Sequence, residues 1–311
     1  NVNTVLANTG KLLADNDLNI SAGSAALAIS NVSTGVVQAG NALNITGANA
    51  TFNTQAGTVL GLTLDTTLAS LDNSGTFQSN ADTTLAIGGA LTNSGTLLAK
   101  TTLVSVSNSL TNSGTLQAEQ GSTITAATIN NTGTLQSLGA GNVALNASNG
   151  LSNAGSIISD TGSVTARVTG TLSNSGTLQA KTTLDIADIS GGATENITNS
   201  GVVLADGALA IKAATVTNQS SGKIQGTTGT TMAADTLTNA GIFVASSTDG
   251  QSGTFTLGTL SNDGTLQSAE DLQLNVNTVL ANTGKLLADN DLNISAGSAA
   301  LAISNVSTGV V

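Results

Sequence analysis

Aliphatic residues recur along this 311-residue chain with two superimposed periods. Over short stretches they occupy every second position, as in Leu178 and Ala180 and then Leu184 and Ile186, which puts them on one side of an extended strand. Over longer stretches a whole phrase returns. LTNSGTLLA begins at Leu91, LTNSGTLQA at Leu110, LSNSGTLQA at Leu172, LTNAGIFVA at Leu237 and LSNDGTLQS at Leu260. No window sustains the i, i+3, i+4, i+7 stripe of an amphipathic helix, and Thr and Val fill the intervals where Glu, Lys and Arg are scarce. The pattern predicts an all-β chain.

Aligned as aliphatic, any residue, Asn, any residue, Gly, the copies place their glycines at Gly10, Gly75, Gly95, Gly114, Gly133, Gly155, Gly176, Gly201, Gly241, Gly264 and Gly284. Degenerate copies fit at Gly35, Gly57 and Gly222, and successive glycines then lie 18 to 25 residues apart. A period in the twenties is the mark of a solenoid. A coil of about 21 residues holds two or three short strands, the size of one rung of a parallel β-helix, which predicts about 14–15 rungs. Strands are expected at the TLxN, TLQA and TTLxI segments. Asn-Ser-Gly forms the corner between the first two, with glycine expected there for its freedom at positive φ. A second corner follows LQA and carries Lys100, Glu119, Lys181 or Asp206.

The asparagines of the phrase share one phase: Asn73, Asn93, Asn112, Asn131, Asn153, Asn174, Asn199, Asn218, Asn239, Asn262 and Asn282. Stacked rungs bring such amides to about 4.8 Å from one another, within reach of a hydrogen-bonded ladder. The expectation is a structural row of amides and corner glycines, not a ligand site. Identical charges would repel in such stacks, which accounts for a charged content of only 8%. One rung alone cannot close a core or satisfy its backbone, so several must stack before any is stable.

A second repeat encloses the first. Residues 1–37 return unchanged as residues 275–311, an offset of 274 that spans thirteen corner glycines. Residues 1–274 thus read as one repeat block of about 13 rungs, and 275–311 as the start of the next block of the same solenoid. Each block would add about 60 Å of length. Equivalent ends of this kind could stack head to tail.

Composition narrows function by exclusion. The chain has no Cys, His, Pro, Trp or Tyr. Common zinc and copper sites and nucleophile–histidine dyads therefore cannot be built, and no metal or cofactor is expected. Seven basic residues, scattered as Lys11, Lys100, Lys181, Lys212, Lys223, Lys285 and Arg167, face eighteen acidic ones, a net charge of −11. That balance argues against nucleic-acid binding. No run of eighteen apolar residues predicts a membrane span. No charged and then apolar leader opens the chain, so it reads as an internal segment. Freedom from cysteine suits passage across an envelope in the unfolded state.

The LxNSGTLQA phrase, at roughly twenty-residue spacing over nearly the whole chain, resembles the shaft repeats of filamentous haemagglutinin and related two-partner-secreted exoproteins, including contact-dependent growth-inhibition effectors. The resemblance implies a right-handed parallel β-helix, exported through an outer-membrane transporter to the surface of a Gram-negative cell. It also implies a role as an adhesin, or as a stick bearing a receptor-binding region and a toxin. The Asn-Pro motifs of the family's secretion domain have no counterpart in a chain without proline. A rigid, non-catalytic shaft segment is the leading expectation, and a surface that itself binds host or neighbouring-cell glycans or proteins is the alternative.

A third alternative is a β-helix enzyme acting on polysaccharide, which needs converging carboxylates. Its candidates are Asp185 with Asp188, and Glu270 with Asp271, but residues at i, i+3 and i, i+1 of a strand point to opposite faces. Gly191-Gly192 lacks the aspartate of a calcium-binding repeat. The threonines of TVTN at Thr215 and TLTN at Thr236 are too few for a regular ice-binding plane. Asn19, Asn31, Asn44, Asn146 and Asn196 lie in Asn-x-Ser/Thr sequons, a weak hint of glycosylation in so Asn- and Thr-rich a chain. The longer gaps at 31–57 and 243–258 leave room for recognition loops.

Overall fold

The computed structural model describes residues 4–297, 300–306 and 310. Its regular structure is all β-strand, and the chain winds as a parallel β-solenoid of about 14 turns, stacked about 21 residues apart. Among the described residues there is no helix long and apolar enough to cross a membrane. The chain divides into two compact units, Asn1–Asn146 with Gly155–Thr161, and Ala147–Ala154 with Gly162–Val311.

In the first unit one turn runs through Ser109–Asn112, a corner at Ser113–Gly114, Thr115–Ala118, a second corner at 119–121, and then Ser122–Asn131. The phrase thus supplies the first two strands, as the alternation predicts. The expected third strand behaves in two ways. Gly88-Gly89 separates Asp82–Ile87 from Leu91–Asn93, and Ser107-Asn108 likewise separates Thr101–Val106 from Ser109–Asn112. Where Ala126-Ala127 takes that place, TTLxI and TLxN fuse into the single strand Ser122–Asn131. The second unit fuses the same pair in Leu209–Asn218, Thr230–Asn239 and Gly253–Asn262.

Register puts like on like. In the first unit Leu71, Leu91, Leu110 and Ile129 form one buried column, and Phe77, Leu97, Leu116, Leu135 and Ile157 form another. The second unit stacks Leu172, Ile197, Val216, Leu237, Leu260 and Leu280, opposite Leu178, Val203, Ile224, Phe243, Leu266 and Leu286. Two edge-to-face aromatic contacts, Phe52–Phe77 at 5.9 Å and Phe243–Phe255 at 5.2 Å between centroids, fill the two interiors where aliphatics give way to rings. Residues 275–288 of the second copy of the 37-residue segment pair with Thr256–Ser268 and continue the same columns.

The corner glycines correct one expectation. None of Gly75, Gly95, Gly114, Gly133, Gly155, Gly201, Gly241, Gly264 or Gly284 is among the glycines with positive φ. Glycine is required there by close approach. A Cβ at any of these nine would lie 2.0–2.2 Å from the carbonyl oxygen of the corner glycine one turn earlier. That carbonyl is already engaged by the next turn, as when the Thr115 N–H donates to Gly95 O at 2.9 Å. Gly10, in the first turn, would meet nothing. The degenerate copies are in phase too, since Val36, Thr58 and Ile242 donate to Gly10, Gly35 and Gly222.

Candidate functional site

The most regular polar feature is the row of asparagines, which lies inside the solenoid. In the first unit Asn73 donates from Nδ2 to Oδ1 of Asn93, Asn93 to Asn112 and Asn112 to Asn131, each at 2.7 Å. In the second the series runs Asn153, Asn174, Asn199, Asn218, Asn239, Asn262, Asn282 and Asn305, at 2.8–2.9 Å. From Asn73 to Asn282 these amides are at most 1% exposed.

Each amide does more than stack. The second hydrogen on Asn93 Nδ2 goes to the carbonyl of Thr115 at 3.0 Å, while its backbone carbonyl accepts from the N–H groups of Ser113 and Gly114 at 2.8 and 3.0 Å. One asparagine therefore holds the corner of the following turn with four hydrogen bonds. Asn112 repeats the arrangement on Thr132, Gly133 and Thr134, and Asn239 on Asp263, Gly264 and Thr265. Both amide hydrogens and the oxygen are thus spent on neighbouring turns, away from solvent.

Sequence reading missed four members. Asn8 donates to Asn31 at 2.8 Å, Thr54 donates its hydroxyl to Asn73, and Asn305 receives Asn282. Asn31 precedes Gly35 by four residues, as Asn218 does Gly222, and Thr54 precedes Gly57 by three, so the strict Asn-x-Gly spacing does not place them. The preceding aliphatic, two residues back at Leu6, Ile29 and Ile303, is the signal that finds the asparagines. These irregular corners carry strain as well: Ser33 and Ala56 have φ of 55° and 59°.

A second set of interior polar atoms is unpaired. Thr66, Thr102, Ser122, Ser137, Thr194, Thr230 and Ser268 bury hydroxyls with no hydrogen-bond partner among the described residues. Thr66 stands in an apolar column between Ile45 and Leu85.

The candidate carboxylates do not converge. Asp185 pairs with Arg167 of the preceding turn, and Lys181 with Asp206 of the next at 3.0 Å. Asp188 turns into its own loop, accepting from Ser190 Oγ at 2.8 Å and Gly192 N–H at 2.7 Å. The Ser190 hydroxyl, with backbone donors of the same loop, holds its carboxyl below the ordinary value. Glu270 accepts the Gly250 N–H, whereas Asp271 accepts from Asn290 and Asp291. Among the described residues no group of three acidic side chains is placed to hold a metal. Thr215, Thr236 and Thr259 stack in register, but Val279 follows. Of the sequon residues, Asn31 is fully buried and out of reach of any modifying enzyme.

Parallel coils locked by an internal amide ladder define a β-solenoid repeat protein. Residues 104–155, 138–196, 187–251 and 243–309 each match the haemagglutinin repeat, together covering more than half of the chain. The chain belongs to the haemagglutinin repeat family. No curated protein and no solved structure matches it.

Proposed function

We propose that the chain is a stiff, non-catalytic shaft segment of a secreted, filamentous haemagglutinin-like exoprotein, which holds a binding or toxic tip away from a Gram-negative cell. The amide ladder carries this reading. At regular corners such as the one that Asn93 holds it ties one turn to the next by four hydrogen bonds, so that bending or shearing a turn against its neighbour breaks several at once. Each further turn adds about 4.8 Å, and reach then grows in proportion to chain length. Family membership supports the placement at the cell surface, and freedom from cysteine suits export through an outer-membrane transporter.

Electron microscopy of the purified chain, beside a version lengthened by one more 274-residue block, tests the reading. Particles that lengthen in proportion to the added turns are expected. A compact particle whose longest dimension does not grow overturns it. Saturable binding of the unaltered chain to cells or glycans would move the assignment to a direct adhesin.

A further inference from the structure

In the first unit the buried row passes through Thr54, between Asn31 of the turn before and Asn73 of the turn after. An amide can donate twice and accept as well, whereas a hydroxyl has a single hydrogen. Thr54 spends its hydrogen on Asn73. Asn31 receives Asn8 and donates to the Thr58 carbonyl at 3.0 Å, but among the described residues no hydrogen bond joins its side chain to Thr54. Three further features coincide here. The pairing of Ala28–Asn31 with Ala42–Thr54 stops at Ser30 and Asn53, whereas Val5–Asn8 pairs with Ala28–Asn31, and Leu91–Asn93 with Ser109–Asn112, through to the asparagine. Val32 and Ala56 form an isolated antiparallel bridge instead, with the Ser33 N–H donating forward to Gln55 O at 2.7 Å, where Ser113 donates back to Asn93. Ser33 and Ala56, one on each side of this contact, both hold left-handed φ.

We infer that the contact between the turn of Asn31 and the turn of Thr54 is a joint built into the fold, where the first unit opens and bends ahead of its regular contacts. Parting the turns of Asn93 and Asn112 breaks the side-chain bonds from Asn93 to Asn112 and to Thr115. Parting the turns of Asn31 and Thr54 costs the ladder only the bond from Asn31 to Thr58, and two strained residues relax as it happens. The weakness is internal: Asn31 and Thr54 are both fully buried, with Asn8 bonded to one and Asn73 to the other. The joint goes beyond the shaft reading and is a property of the ladder itself, present whether or not the chain serves as a spacer.

Amide hydrogen exchange of the whole chain, read residue by residue, tests it. Equivalent corner amides report successive contacts: Val36 donates to Gly10, Thr58 to Gly35 and Thr96 to Gly75. Thr58 is expected to exchange at least tenfold faster than Thr96 and no slower than Val36. A smaller difference from Thr96 overturns the joint, and so does a steady rise in protection from Val36 through Thr58 to Thr96, the order that fraying from one end gives. Asn112→Thr writes the same interruption into a regular corner. In the folded variant the Thr115 amide, which donates to Gly95, should exchange at least tenfold faster than in the unaltered chain, with Thr96 unchanged. An unaltered rate at Thr115 overturns the inference as well, and the first measurement stands without any variant.

Discussion

The side-chain nitrogen of Asn93 donates to the side-chain oxygen of Asn112 at 2.7 Å, one turn further on, and both residues are wholly buried. Asn112 in turn reaches Asn131 and the Thr134 carbonyl. Every amide in such a row depends on the one before it and serves the one after it.

Asn112→Ala removes four side-chain hydrogen bonds and leaves a donor of Asn93 buried without an acceptor. A loss of about 3 kcal/mol is expected, measured by denaturant unfolding. Asn112→Asp should cost more at neutral pH than in acid, because only the protonated acid can still donate. Equal losses at both pH values would show that the ladder does not use the amide's hydrogens.

Gly114→Ala puts a methyl 2.0 Å from the Gly95 carbonyl oxygen, against backbone that cannot rotate away. Destabilisation of about 3 kcal/mol or more is expected. Gly10→Ala, with open space around the added carbon, should be close to neutral. The contrast in melting temperature between the two variants checks that close approach sets the requirement for glycine.

Thr66→Val replaces a buried, unpaired hydroxyl by a methyl between Ile45 and Leu85. It should stabilise the chain by about 1 kcal/mol. A destabilised variant in thermal unfolding would mean that the hydroxyl has a partner.

Ala56→Gly relieves a left-handed residue at φ 59° in a corner whose spacing departs from the repeat. The strain is about 1 kcal/mol, and unfolding in urea should show a gain of that order. Ser33→Gly, at φ 55°, should behave in the same way.

The Asp188 loop should respond to acid. Its carboxyl is held below the ordinary value of 3.8, chiefly by the Ser190 hydroxyl, so the loop that the carboxylate holds persists above that value. It opens as pH falls through the lowered one. The Gly192 amide resonance should shift over that range, and Asp188→Asn should flatten the response.

Much of this architecture could be read from the chain because a solenoid writes its geometry periodically. Alternating aliphatics gave strands, the spacing of Gly75, Gly95, Gly114 and their kin gave the turn, and Asn93, Asn112 and Asn131 gave the ladder. What escaped had a local cause. Corners of unequal length hid Asn31 and Thr54, whose phase is set by the preceding strand and not by the following glycine. The reason for the corner glycines lies in the turn beneath, which no inspection of a single corner reveals. The lone hydroxyl of Thr66 is invisible until its column is assembled.

The space that a side chain would need at Gly114 is already occupied by the oxygen of Gly95, and Gly133 stands in the same relation to Gly114. Each corner therefore proofreads its successor. A side chain gained at one corner is refused by the turn beneath it, so the phrase is kept legible by the very stacking that it encodes.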